Sequence, residues 1–194
     1  GENEPLTREQ VEYIDKIADK ITKNCKTDYQ KALKIYEYVA KNTYYDVYAL
    51  AQVKNQYANP YLNLYYLNTK IDSPNSKNGK VATTCQGYAA MVVALARAVD
   101  IPARFVHGCH IHQPGTIWDD LDNTKLNATT HYWSELYFNG EWRVVDARAA
   151  MKNRWERTSF DDEGVWEKKN FINYSHFDPT EEQLSASYIY LGIY

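Results

Sequence analysis

The stretch from Thr83 to Val99 constrains the fold more than any other. Ala89, Met91, Val92, Val93, Leu95, Ala96 and Val99 are apolar nearly all the way round a helical projection, and a helix without a polar face is stable only when other elements cover it on every side. Thr83 and Gln86 have the spacing in which two side chains satisfy free backbone donors at a helix start, so the helix is expected to open near Thr83 and to lie at the centre of the molecule. Thr7 with Gln10 and Thr27 with Gln30 repeat that spacing and announce two earlier helices. Val11, Ile14, Ile17, Ala18 and Ile21 in the first, and Ala32, Ile35, Tyr36 and Val39 in the second, each form one buried stripe.

Downstream of Pro102 the pattern changes to that of a sheet. Residues 103–112 read as a strand and 113–130 as an irregular polar segment, followed by residues 131–138 and 141–148 on either side of Asn139-Gly140, the dipeptide best suited to a tight turn with positive φ at both positions. Counting outward from that turn, Phe138 pairs with Glu141, Trp133 with Asp146 and His131 with Arg148, which puts His131 and Asp146 on one face. Residues 44–68 give no regular pattern, 71–80 read as a turn-rich connector, residues 178–181 as a short helix start and 187–194 as a final strand.

A chain of 194 residues is long enough for one ordinary domain. At that size it buries roughly 70% of its unfolded surface and needs neither metal nor disulfides to stay folded. It has no basic block for a phosphate backbone and a net charge of −3, which excludes a typical nucleic-acid partner, and no apolar run long enough for a membrane-spanning helix. The opening at Gly1 and the richness in Asn and Tyr lead us to expect an exported or cell-surface bacterial protein.

Cys85 falls at the second position of the expected central helix, where free N–H groups and the positive end of the helix dipole favour an anion. The thiolate is the nucleophilic form of cysteine. With His131 as base and Asp146 holding the imidazole, each member of a nucleophile, base and orienting acid set falls on an element suited to its role.

The segments Cys85-Gln86-Gly87-Tyr88-Ala89, Ile101-Pro102-Ala103-Arg104-Phe105-Val106, His131-Tyr132-Trp133-Ser134-Glu135 and Trp142-Arg143-Val144-Val145-Asp146 resemble, in order and spacing, the transglutaminase-like superfamily over residues 28–148. The resemblance implies a papain-like α+β fold, with a central cysteine-bearing helix packed on an antiparallel β-sheet. The chain then reads as one domain over 1–194: a helical extension at 1–26, a core at 27–148, and a C-terminal extension at 149–194 that completes the sheet. Carried over by position, Cys85 is the nucleophile, His131 the general base and then acid, and Asp146 the orienting carboxylate.

The implied activity is a cysteine-dependent amide or peptide-bond hydrolase or acyl transferase working through a thioester, with hydrolysis favoured and no cofactor. Its substrate is a peptide or protein, cell-wall peptide being one candidate. The alternative is a catalytically silent module that holds cell-wall peptide or glycan in the same cleft. Papain-type enzymes place a glutamine six residues before the cysteine, but here that residue is Gly79. The second oxyanion donor is therefore sought among Asn78, Tyr44 and Tyr45, and Gln86, Tyr45, His110 and Trp133 are the candidate oxyanion and substrate-binding residues.

A zinc reading of His107, Cys109, His110 and His112 fails because alternation along a strand points them to opposite faces. Asp119, Asp120 and Asp122 lack the Gly and Glu of a calcium loop. Tyr61 and Tyr65 have helical spacing and are expected to pack against the core. Cys25 and Cys109 are expected to be buried free thiols, with a disulfide between them open only to an exported protein.

Overall fold

The computed structural model describes residues 5–48, 58–111, 128–159 and 162–194. Its elements run α1 (Arg8–Thr22), α2 (Asp28–Asn42), β1 (Thr43–Asp46), α3 (Pro60–Thr69), β2 (Ser76–Lys77), β3 (Lys80–Thr83), α4 (Cys85–Arg97), β4 (Ala103–Ile111), β5 (Ala128–Phe138), β6 (Glu141–Val145), α5 (Ala147–Ala150), β7 (Arg154–Glu156), β8 (Val165–Glu167), a 3-10 turn (Tyr174–His176), α6 (Glu181–Ser187) and β9 (Tyr188–Ile193). The fold is α+β.

Two sheets are present among the described residues: an antiparallel one in the order β6-β5-β4-β9, and a mixed one in the order β2-β3-β1-β7-β8. Sequence reading anticipated only the first. In the second, β1 is flanked by β3 and β7, both parallel to it, and these strands are two to four residues long. Residues 44–68 and 71–80, read from sequence as irregular, hold β1, α3, β2 and the start of β3.

The helix α4 is central. Met91, Val92, Leu95 and Ala96 are fully buried in one core with Ile14, Ile35, Val39, Leu136 and Phe138, so α1 and α2 cover one side and the antiparallel sheet the other. Thr7 and Gln10 form the full capping box at α1, and Thr180 and Gln183 form another at α6. At α2 Thr27 accepts from the Gln30 N–H, but the Gln30 side chain turns to the N–H of Lys26 at 2.7 Å. Val11, expected in the buried stripe, is 42% exposed, at the edge of the covered face.

Helix α4 starts one residue later than its capping signal suggested. Thr83 continues β3 and pairs with Tyr45, fully buried, so Thr84 becomes the cap residue and Cys85 the first helical residue. The sheet contact wins over the Thr83–Gln86 pairing because it buries backbone and side chain together. The hairpin follows its predicted register from Phe138↔Glu141 to Ser134↔Val145 across a turn in which Asn139 has φ 56° and Gly140 φ 85°. Then β6 stops: the Asp146 N–H donates to the carbonyl of His176 and its side chain caps α5, so Trp133 and His131 gain no partners on that strand. Strand β5 instead extends back to Ala128 against β4, which claims residues 128–130 from the segment read as irregular.

Strand β9 joins the other edge of β4, with a register shift at His107/Gly108. A side chain at Gly108 would lie 1.9 Å from the Ile189 carbonyl oxygen and 2.4 Å from the Trp133 ring. Only glycine lets β9 and that indole close over the strand.

Candidate active site

Cys85, His131 and Asp146 meet along a cavity of about 460 Å³ that is also lined by Tyr45, His110 and Arg148. Each arrives on a different element. Cys85 is the first residue of α4, and the cap residue Thr84 makes no side-chain hydrogen bond to the helix, so no cap competes for the donors of the first turn. His131 stands on β5, and Asp146 caps α5 through a 3.3 Å bond from the Ala149 N–H to Oδ1.

The His131 Nε2 lies 2.7 Å from Asp146 Oδ2, with both side chains buried. Cys85 is a near neighbour of the imidazole: both line the cavity, and the thiol adds to the rise in the His131 pKa. With Nε2 occupied by the carboxylate, Nδ1 is the ring nitrogen left for the sulfur. Burial alone would lower the His131 pKa; the Asp146 carboxylate outweighs it by charge and hydrogen bond and raises it to about 9. Burial would raise that of Asp146, but the imidazolium holds it well below the usual carboxylate range. The pair therefore favours imidazolium and carboxylate at neutral pH.

A second ring of partners fixes Asp146. The Tyr188 hydroxyl donates to Oδ2 at 3.0 Å and stands 3.0 Å from His176 Nδ1. Burial, reinforced by the nearby carboxylate, raises the Tyr188 pKa well above its ordinary value, so the phenol stays a donor. Burial lowers that of His176 against the pull of Asp146. A neutral His176 with its proton on Nδ1 satisfies the phenol oxygen, giving the chain His176, Tyr188, Asp146, His131 in which every bond has a donor and an acceptor.

Of the other residues nominated from sequence, Tyr45 and His110 line the cavity. The Tyr45 pKa is raised by burial and by the neighbouring Cys85, and the His110 ring sits edge-on 5.6 Å from that of His131. Trp133 does not reach the cavity: it is 1% exposed, stacked 6.0 Å from the His131 ring among Val106, Val144 and Tyr188, and so backs the imidazole instead of contacting a ligand. Gln86 is half-buried on α4 and does not line the cavity. Tyr44 packs edge-on against Trp166 at 5.0 Å, and Asn78 occupies the turn between β2 and β3 with φ 53°, so neither is an oxyanion donor here.

His107 stacks on Tyr132 at 4.5 Å while His110 turns to the cavity; His112 and the Asp119–Asp122 run lie outside the described residues. No cluster of three metal-ligating side chains occurs among the described residues, and Cys25, Cys85 and Cys109 are free thiols. Tyr61 and Tyr65 pack against Tyr13, at 5.7 and 5.8 Å between centroids.

The family model of the transglutaminase-like superfamily matches residues 15–147. The chain belongs to this superfamily. A similar fold is seen in a candidate cysteine protease from Cytophaga hutchinsonii, with a TM-score of 0.51 and 15% identity over 98% of this chain and 52% of that one. The present chain thus spans about half the length of that protein. A transglutaminase ("TGase") structure aligns over 90% of this chain and 39% of its own at 17% identity and a TM-score of 0.43. A candidate protease from Parabacteroides distasonis aligns over 82% and 28% at 12% identity and 0.46. No functionally curated protein matches the sequence.

Sequence reasoning missed Tyr188, His176 and Arg148 as neighbours of this candidate site. Arg148 follows Asp146 by two residues, but it was placed on a strand and not on α5. Tyr188 lay on an expected strand whose pairing is set by the irregularity at Gly108, which no local pattern encodes.

Proposed function

We propose that this superfamily member is a cysteine-dependent hydrolase of amide or peptide bonds, with Cys85 as nucleophile, His131 as base and acid, and Asp146 as the carboxylate that orients and charges the ring. Membership of the superfamily supports protease-like or acyltransferase-like chemistry at the coarse level. The observation that supports the finer reading is His131, which holds the Asp146 carboxylate on one nitrogen with Cys85 close beside it at the wall of an open cavity.

The Cys85 sulfur attacks the substrate carbonyl carbon. Negative charge then develops on the carbonyl oxygen, where the first-turn N–H groups of α4 and the Tyr45 hydroxyl are the available donors. Collapse breaks the C–N bond as His131 gives its proton to the leaving amine, which leaves a thioester on Cys85. Neutral His131 next takes a proton from water, the hydroxide adds to the thioester, and the acid and the thiol are released. A positioned acid and base of this kind contributes about 10²- to 10⁴-fold in rate.

The test is turnover of a mixed peptide library followed by mass spectrometry. Wild type is expected to release amines and Cys85→Ala to release none. A shift to amide-linked products when a primary amine is added would assign transfer over hydrolysis. Binding of the same peptides by both proteins without turnover by either would overturn the proposal in favour of a silent binding module.

A further inference from the structure

The cavity at Cys85 adjoins a second one of about 590 Å³, and Tyr45, His110, Arg148, Ala149 and Arg154 line both. The walls of the two carry Arg148, Lys152, Arg154 and Lys169 against the carboxylates of Asp146 and Glu167. Both carboxylates are occupied, Asp146 by His131 and Glu167 by Lys169. Arg154 makes a 3.3 Å contact with Glu156 between half-exposed side chains, a pairing worth little in water. Among the described residues, neither Arg148 nor Lys152 forms an ion pair, and Arg148 acts on the Asp146 carboxylate, already held by His131, only across the cavity. This positive excess sits beside the thiol in a chain whose net charge is −3.

Arg148 is the best placed of these cations. Its guanidinium lies 4.4 Å from the centroid of the Tyr45 ring, stacked over its face. Stacking fixes the plane of the fork, and a planar fork binds a carboxylate through two parallel N–H bonds. A cavity of about 460 Å³ is roughly 8 Å across, the span of about two extended residues at ~3.4 Å each. The anion that meets Arg148 therefore belongs to the substrate within about two residues of the attacked carbonyl.

We infer that the groove beside Cys85 selects peptides bearing a carboxylate close to the attacked amide, with Arg148 as the principal donor and Lys152 and Arg154 adding charge. This rests on the amide chemistry proposed above. The carboxylate is supplied either by an acidic side chain or by the free carboxy end of the peptide.

The experiment compares iodoacetate with iodoacetamide on the full chain and reads the ratio of their alkylation rates at Cys85 by peptide mapping. The ratio cancels any change in the reactivity of the thiol itself. It is expected to exceed that of a small free thiol and to fall about tenfold or more in Arg148→Gln, consistent with the loss of one charge-assisted hydrogen bond, with a smaller fall in Arg148→Lys. The double variant Lys152→Gln/Arg154→Gln gives a second reading should Arg148→Gln not fold. A ratio within about twofold of wild type in these variants would overturn the inference.

A second arm measures protection of Cys85 from iodoacetamide by three matched peptides: one with a side-chain carboxylate only, one with a terminal carboxylate only, and one with neither. Stronger protection by the first or by the second assigns the source. Equal protection by all three, or protection by none, would overturn the inference. Failure of the enzymatic reading looks different, because iodoacetamide alone would then react no faster at Cys85 than at Cys25.

Discussion

Asp46 with Arg157 and Asp146 with His131 are both buried ion pairs, yet one is sealed and the other opens on a cavity. The Arg157 and Asp46 side chains are 0% exposed, 2.6 Å apart, with a further Arg157 bond of 2.8 Å to the Pro74 carbonyl and its guanidinium 3.8 Å from the centroid of the Trp155 ring. That pair ties β1 to the chain beyond β7 and holds the mixed sheet together. The His131–Asp146 pair stands at the antiparallel sheet with a thiol on its free side. Similar charge chemistry thus closes one region on every side and, in the other, leaves one side open to a sulfur and a cavity. The partners differ in one further respect: an imidazole can give up its proton, and a guanidinium cannot.

Breaking the sealed pair is therefore expected to cost most. Arg157→Ala strands a buried carboxylate and should lower unfolding free energy by about 3–5 kcal/mol, read from a urea titration. An unchanged midpoint would remove the contrast between the pairs. Asp146→Asn leaves His131 free to become neutral, so its stability loss should be smaller than that of Arg157→Ala, whereas turnover should fall by about 10²-fold or more, as expected when the general acid–base is no longer charged and oriented.

The same comparison sets the pH dependence. Because the folded pKa of His131 is raised, the stabilisation it supplies is fully present below the ordinary imidazole value and is lost as pH rises through about 9. The depressed Asp146 supplies stabilisation present above the ordinary carboxylate value and lost as pH falls through its lowered value. Turnover, which needs a protonated His131 for the leaving amine, should have its alkaline limb near 9, and Asp146→Asn should move that limb to lower pH. A limb at the same pH in both proteins would detach the carboxylate from the ring. The smallest effect is expected for Tyr188→Phe, which removes one of the donors to Asp146: about 1 kcal/mol of stability and a fall in turnover of a few fold.

The two sheets also differ in how far the sequence discloses them. Asn139-Gly140 fixes a local hairpin and its register, Thr7 and Thr180 mark helix starts through contacts three residues away, and the apolar circumference of α4 requires burial. Cys85 and His131 are readable because each lies on such an element, and Asp146 because it directly follows one. The mixed sheet has no comparable signal: its short strands pair in parallel with partners far along the chain, and the pairing is decided by packing. A cue was present at α3, where Asn59 accepts from the Leu62 N–H and Pro60 occupies the first turn, but the surrounding tyrosines masked it. Asp146 illustrates the limit of counting along a strand. It reaches His131 from a helix cap, a position that depends on the His176 carbonyl drawing the chain out of β6.

The central question is whether His131 activates Cys85, a residue only 6% exposed. Site-resolved alkylation by iodoacetamide at neutral pH, comparing Cys85 with Cys25 and Cys109 in wild type and in His131→Ala, tests this directly. Cys85 is predicted to react fastest of the three despite its burial, and to lose that advantage without the imidazole. Labelling of Cys85 no faster than the more accessible Cys25, or an advantage that survives His131→Ala, would contradict it.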